Sequence, residues 1–122
     1  MISVSVEIPK TLPIRELNNY IDLTIYNIAR ITLDNTNTKH RFPYLTGELN
    51  RASMAEGVRS DGDKTYYIGA LGVDYAPDVW EYPQSTNWTN PNTYAQWYMT
   101  EFKNEKELIT QQAVRNAMKS VR

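Results

Sequence analysis

A run of apolar residues near the N-terminus constrains the fold of this chain more than any other sequence feature. Apolar side chains recur there at spacings of three and four: Ile14, Leu17, Ile21, Ile25 and Ile28. This spacing places them on one stripe of an α-helix, with the charged and amide side chains on the other faces. Pro13 suits the first helical turn, because its missing N–H would have no partner there. We therefore predict an amphipathic helix over residues 13–32 whose apolar stripe is buried.

Strand signals lie on both sides of this helix. Residues 2–8 alternate between apolar and polar side chains, which is typical of a strand with one buried face. Residues 54–60 and 65–71 are two further strand-like segments, and Asp61-Gly62 between them is a strong signal for a β-hairpin. The pattern predicts an antiparallel sheet of three or four strands.

Shorter helices and loops fill the rest of the chain. Residues 34–40 are polar and favour a loop, and Thr46 is a good N-cap for a short helix that ends near residue 53. Residues 72–82 indicate a turn followed by a short helical piece. The last segment predicts a C-terminal helix, which begins either near Thr93 or at a capping box that starts at Asn104.

Together these elements predict one α+β domain over residues 1–122. The long N-terminal helix packs across one face of the small antiparallel sheet, and the C-terminal helix lies beside it. A chain of 122 residues is long enough to close one modest core.

Composition excludes several classes of protein. Thirteen basic and fourteen acidic residues nearly cancel, so the strongly basic surface of a dedicated duplex-DNA binder is not expected. The chain has no cysteine, which excludes disulfides, thiolate metal sites and cysteine nucleophiles. It also lacks a long apolar run and the features of a signal peptide, so we expect a protein made in the cytoplasm that does not bind a membrane.

Residues that could carry catalysis are scattered. The single histidine, His40, lies in a polar segment between Lys39 and Arg41, where a solvated side chain is the ordinary interpretation. Pairs of carboxylates can be drawn from Glu48, Glu56, Asp74, Asp78 and Glu81, but no neighbouring motif gives them acid and base roles. No phosphate-binding loop accompanies Gly62, Gly69 and Gly72. We predict no catalytic residue, no cofactor and no metal.

The aromatic residues are more informative. All three tryptophans lie between residues 80 and 97, and no charged residue occurs between Pro83 and Thr100. One interpretation is that these rings cover the sheet. The other is a subunit interface, since enrichment in Trp and Tyr with depletion of charge is typical of interface centres. The interface hypothesis names six residues: Trp80, Tyr82, Trp88, Tyr94, Trp97 and Tyr98.

The order of the motifs resembles a known family. An amphipathic N-terminal helix is followed by a Pro-x-x-Thr-Gly-x-Leu-x-x-x-Ser segment, by a hairpin, by a Tyr-Ala element and by a tryptophan that opens the C-terminal helix. The residues that carry the likeness are Pro43, Thr46, Gly47, Leu49, Ser53, Tyr75, Ala76 and Trp97. Over residues 12–120 the chain is similar to the small head–tail joining proteins of long-tailed bacteriophages, also called minor capsid or tail-completion proteins. It departs from them at Trp80, which displaces an acidic residue, and at Pro83, which replaces a glycine.

The resemblance implies a structural virion protein, not an enzyme. Such a protein joins head to tail as one subunit of a ring at the neck, assembled in the host cytoplasm. Its partners are copies of itself and the neighbouring neck, portal-side or tail-tube proteins, with DNA only as cargo passing through the channel. Two alternatives stay open: a tail-terminator ring that caps the tail tube, and a small carbohydrate- or nucleic-acid-binding module that uses Trp88 and the tyrosines.

Overall fold

The computed structural model describes residues 14–44, 47–69 and 72–120 of the chain. Its elements in chain order are α1 (Ile14–Thr38), α2 (Glu48–Glu56), β1 (Val58–Ser60), β2 (Tyr66–Ile68), α3 (Ala76–Trp80), α4 (Trp97–Asn104) and α5 (Lys106–Ser120). The strand predicted for residues 2–8 lies outside the described residues.

The predicted α+β class with three or four strands is wrong. Helices account for 60% of the described residues, and the one sheet found among them is a two-stranded antiparallel hairpin. Val58 pairs with Ile68 and Ser60 with Tyr66. The strand predicted from residue 54 is shorter because α2 continues to Glu56 and ends at Gly57, whose φ of 63° favours glycine. The hairpin itself and its Asp-Gly turn are where the pattern predicts them.

Helix α1 is longer than its sequence pattern predicts. It runs through residues 34–38, for which we predicted a loop, because Thr32 and Thr36 are buried and each hydroxyl donates to the carbonyl four residues earlier. The helix ends in a Schellman motif: Arg41 N–H donates to the Thr36 carbonyl and His40 N–H to the Asn37 carbonyl. His40, with a φ of 57°, is the left-handed residue that this motif requires.

The residues that α1 buries are not those of the predicted apolar stripe. Ile21, Ile25 and Ile28 are only half-buried. The fully buried positions are Tyr20, Thr24, Thr32, Leu33 and Thr36. Three of them are threonines, which a search for hydrophobic spacing does not count as buried positions. Each threonine hydroxyl donates a hydrogen bond to a backbone carbonyl of the same helix, so it can be buried without an unpaired donor.

The C-terminal segment packs antiparallel along α1. Lys39 contacts Glu101 and Glu105 at one end, while the Asn27 side chain donates to the Ala113 carbonyl further along. Ala113 and Ala117 are completely buried, so α5 approaches α1 closely through small side chains. The segment is two helices rather than one: α4 begins at Trp97, the tryptophan that the resemblance places at the start of the C-terminal helix and neither of the starts predicted near Thr93 and Asn104, and Glu105 separates α4 from α5.

The core lies at the C-terminal half of α1. Leu33 packs there with Phe42 from the segment between α1 and α2, with Leu49 of α2, with Val73 after the hairpin, and with Trp97 and Tyr98 of α4. The hairpin lies against the middle of α1, where the Tyr66 hydroxyl donates to the Asp22 carboxylate at 2.8 Å and its ring meets Tyr26 edge-on.

Candidate protein interaction surface

The aromatic segment splits into a buried part and an exposed part. Trp97 and Tyr98 are buried, and Trp80 packs edge-on against Trp97 with 4.7 Å between ring centroids. Phe42 completes this cluster, 5.6 Å from Tyr98. These rings form the core of the chain itself, which leaves Trp97 and Tyr98 little surface for a partner.

The other predicted interface residues lie at or near the surface. Tyr82 is 47% exposed and its ring lies 6.1 Å from that of the half-buried Trp88. Tyr94 is also half-buried, with the Arg41 guanidinium 4.1 Å above its ring. Of the six residues named from sequence, Tyr82 and Trp88 therefore form the accessible aromatic pair.

A long loop carries this pair and is held by amide side chains. Gln84 donates to the Thr93 carbonyl at 3.0 Å and accepts from the Ala95 N–H at 2.8 Å. Asn90 donates to the carbonyls of His40 and Phe42. Because these side chains join the loop to itself and to the end of α1, the loop has a defined shape without secondary structure.

Tyr82 and Trp88 form one wall of a cavity that we name the aromatic groove. Tyr44, which is 55% exposed, also lines this cavity. The cavity has a volume of about 310 Å³, and the described residues that line it are Pro43, Tyr44, Tyr75, Val79, Tyr82, Thr86, Asn87, Trp88 and Thr89. No side chain in this lining carries a charge at neutral pH.

A second cavity extends the groove along the same loop. It has a volume of about 450 Å³ and shares Pro43, Tyr44 and Thr89 with the aromatic groove. Its other lining residues are His40, Phe42, Asn50, Asn90, Pro91 and Asn92. Among the described residues, the two cavities share part of their lining, and neither lining includes an Asp, Glu, Lys or Arg side chain.

The family-motif residues have mainly structural positions. Gly47 precedes α2 with a φ of 80°, and a Cβ there would lie 2.8 Å from the Arg51 guanidinium. Leu49 and Ser53 occupy the buried face of α2, while Tyr75 and Ala76 open α3 beside the core. Pro43 and Tyr75 line the aromatic groove. Thr46 lies outside the described residues.

Sequence reasoning missed Tyr44 as a surface residue. It lies in the Phe-Pro-Tyr segment, which we interpreted only as part of the family motif. Pro43 restricts the backbone of Phe42 before it and argues against a helix there, but no sequence signal separates the exposed Tyr44 from the buried Phe42.

The charged side chains that come together, Lys39, Glu101 and Glu105, stabilise the packing of helices. Glu101 is only 1% exposed and accepts a hydrogen bond from Lys39 Nζ at 2.9 Å, and Glu105 lies 3.5 Å from the same Nζ. Burial lowers the pKa of Lys39, but the hydrogen bond to Glu101 and the two negative charges outweigh it and raise the pKa above its ordinary value. A carboxylate closed off from solvent in this way joins α1 to α4 and has no access to a substrate.

A cluster of buried polar atoms lies in and beside the core. Ser53 Oγ, Trp97 Nε1 and Tyr98 Oη are all buried, and no well-formed hydrogen bond satisfies any of them. Burial raises the pKa of Tyr98, and the nearby Ser53 and Trp97 oppose that shift only in part. Tyr98 is therefore a neutral core residue.

Within the described ranges, no group of three or more His, Cys, Asp or Glu side chains is placed to hold a metal ion. No helix in those ranges is both long and apolar enough to span a membrane. No family model, curated protein or solved structure matches the chain.

Proposed function

We propose that this chain is a structural virion protein of a tailed phage, a subunit of the ring that joins head to tail. It acts by binding copies of itself and the neighbouring neck, portal-side or tail-tube proteins, and DNA passes through the assembled channel as cargo. The observation that carries this proposal is the aromatic groove, an uncharged and partly exposed surface held on a defined loop.

The composition of the groove supports a protein partner. Interface centres are enriched in Tyr and Trp and depleted of charge, and energetic hot spots favour those two residue types. Tyr44, Tyr82 and Trp88 meet this description. A closed ring uses head-to-tail contacts between two different surfaces of each subunit, and the groove supplies one of them. The order of motifs in the chain supports the phage assignment.

The test is assembly with proteins encoded beside this one. The purified chain is mixed with the portal, neck and tail-tube proteins of the same genome, and complexes are counted by mass photometry. We expect monomers or small oligomers alone and rings only with a templating partner, because a small loop contact must offset the entropy of association.

Trp88→Ala is the decisive variant. At an interface hot spot it weakens association by about 2 kcal/mol, close to thirtyfold, while the circular dichroism of the isolated chain stays unchanged. Leu108→Ala is the matched control, since Leu108 is 66% exposed on α5 and lies outside the groove lining. Equal assembly by both variants removes the groove from the proposal.

The accessible pair of Tyr82 and half-buried Trp88 also favours one function of a different class, the stacking of a sugar or a base. The uncharged lining argues against a nucleic-acid ligand, because proteins that bind single-stranded nucleic acids combine aromatic side chains with Lys and Arg. A strict monomer that ignores every phage protein and binds an oligosaccharide or an oligonucleotide saturably establishes this alternative and overturns the joining function.

A further inference from the structure

We infer that an acidic face around α3 in one copy of this chain binds a basic face on α5 of the next copy. The acidic face consists of Asp74, Asp78 and Glu81, and the basic face consists of Arg115 and Lys119. The inference rests on the proposed function in treating the chain as a ring subunit, and it adds the pair of surfaces through which neighbouring copies meet.

Charges of opposite sign are concentrated in two segments of the sequence. Residues 65–100 contain three charged side chains, and all three belong to the acidic face. Residues 108–122 also contain three, all of them basic: Arg115, Lys119 and Arg122, of which the last lies outside the described residues. A net charge of −1 for the whole chain is therefore compatible with two local surfaces of opposite sign.

The side chains of both faces are exposed, and among the described residues none of the five forms an ion pair. Asp74, Asp78 and Glu81 follow one another at spacings of four and three, which places the carboxylates on one side of α3 and its flanking turns. Arg115 and Lys119 are likewise one turn apart on α5. Like charges at this spacing repel each other, so each face is stabilised when a surface of opposite charge binds it.

The acidic face borders the aromatic groove. Each of its three residues immediately precedes a residue that lines the groove, namely Tyr75, Val79 and Tyr82. Protein interfaces commonly combine an uncharged, aromatic centre with a polar rim, and charges in the rim select the partner and speed its association. An acidic rim selects a partner surface that is basic.

The two faces lie at different levels of α1, so one copy does not neutralise its own charges. Helix α3 packs on the core around Leu33. Helix α5 runs antiparallel to α1 and places Ala113 beside Asn27, so Lys119, six residues later, lies level with about residue 21. Twelve residues of helix separate that level from Leu33, which is about 18 Å along the axis. Physiological salt screens exposed charges over about 8 Å, a much shorter distance.

A second copy supplies the opposite charge. In a closed ring, each subunit uses two different surfaces in head-to-tail contacts with its neighbours. The acidic and basic faces are two different surfaces of one chain and carry opposite charges. The basic face of each copy can therefore meet the acidic rim of the next, and the same contact repeats around the ring.

Charge reversal tests this contact. One double variant, Asp78→Lys with Glu81→Lys, makes both faces predominantly basic, and a second, Arg115→Glu with Lys119→Glu, makes both acidic. Self-association of the full chain at high protein concentration is measured by sedimentation velocity in low and in high salt. We expect the wild type to associate, and its affinity to fall at least about tenfold in high salt and in each variant alone. An equimolar mixture of the two variants should recover the association, because the reversed faces are complementary to each other.

The matched control is Asp61→Lys with Asp63→Lys, which changes the net charge as much as the first variant does but at the exposed hairpin turn. It should associate as the wild type does, and circular dichroism checks that every variant is folded. The inference is overturned by a wild type that stays monomeric, by association that neither variant weakens, or by a mixture that does not recover it. A loss in the control as large as in the first variant also overturns it, because net charge would then govern association.

The two proposals fail separately. If the mixture recovers self-association but no portal, neck or tail-tube protein binds the chain, the charge contact stands and the joining function is wrong. If both charge-reversed variants assemble with those phage proteins as the wild type does, the joining function stands and the charge contact is wrong.

Discussion

The ion pair between Lys39 and Glu101 makes a sharp test of how α1 is joined to α4. Replacing Lys39 by methionine keeps most of the length of the side chain and removes the charge. Glu101, which is 1% exposed, then keeps a buried carboxylate without its cation. Glu105, on the same cation, loses its contact as well.

The magnitude follows from the burial of each partner. Removing one member of a fully buried pair costs about 3–5 kcal/mol, because the remaining charge is left uncompensated. The Lys39 side chain is 35% exposed, so water already screens part of the interaction. We therefore expect Lys39→Met to lower the free energy of unfolding by about 2 kcal/mol at pH 7.

A double-mutant cycle isolates the pair. Urea unfolding is measured for the wild type, Lys39→Met, Glu101→Gln and the double variant. Because Glu101→Gln removes the charge that Lys39→Met would strand, the double variant should be more stable than additivity predicts, by about 1 kcal/mol or more. Lys103→Met, an exposed lysine on α4, is the control and should change stability by less than about 0.5 kcal/mol.

Two results would refute this reasoning. One is a loss in Lys39→Met no larger than that of the Lys103→Met control. The other is strict additivity in the cycle, which would mean that the two side chains lie apart in solution and that other contacts hold α4 against α1.

Two further predictions concern stability. Leu33→Ala should lower the free energy of unfolding by about 2–5 kcal/mol, because Leu33 is completely buried. Ile25→Ala, at a half-buried position, should lower it by about half as much. Equal losses of stability for the two variants in denaturant unfolding would mean that the predicted stripe is the buried face after all. The hydrogen bond to Asp22 raises the pKa of Tyr66, so the contribution of Tyr66 is complete below about pH 10 and is lost as the pH rises through the folded-state value. Tyr66→Phe should therefore be about 1 kcal/mol less stable at pH 7 and should lose less stability than the wild type between pH 9 and 11; parallel curves for the two proteins would contradict this.

The candidate surface was predictable only in part from sequence. Clustering of Trp and Tyr in an uncharged segment indicated an interface, and Tyr82 and Trp88 do lie at the surface. The same signal included Trp97 and Tyr98, which are core residues. An aromatic ring suits a core and an interface equally well, so residue type alone cannot separate the two.

The sequence by itself determined the features that depend on neighbours along the chain. Spacings of three and four indicated the long helix α1, Asp61-Gly62 indicated the hairpin, and the absence of cysteine excluded thiol chemistry. Each of these features depends on residues a few positions apart, which is the range over which turn geometry and helical periodicity act.

Only the tertiary structure decided how far each element extends and which face it buries. Helix α1 continues through the polar residues 34–38 because Thr36 is buried there and satisfies its hydroxyl on a helix carbonyl. Strand β1 begins only at Val58, not at residue 54, because α2 extends to Glu56, up to the glycine that precedes β1. Trp97 enters the core because Phe42 and Trp80, distant from it in sequence, pack on its ring. Burial depends on such long-range contacts, and their free energies outweigh the small local preferences that a sequence pattern records.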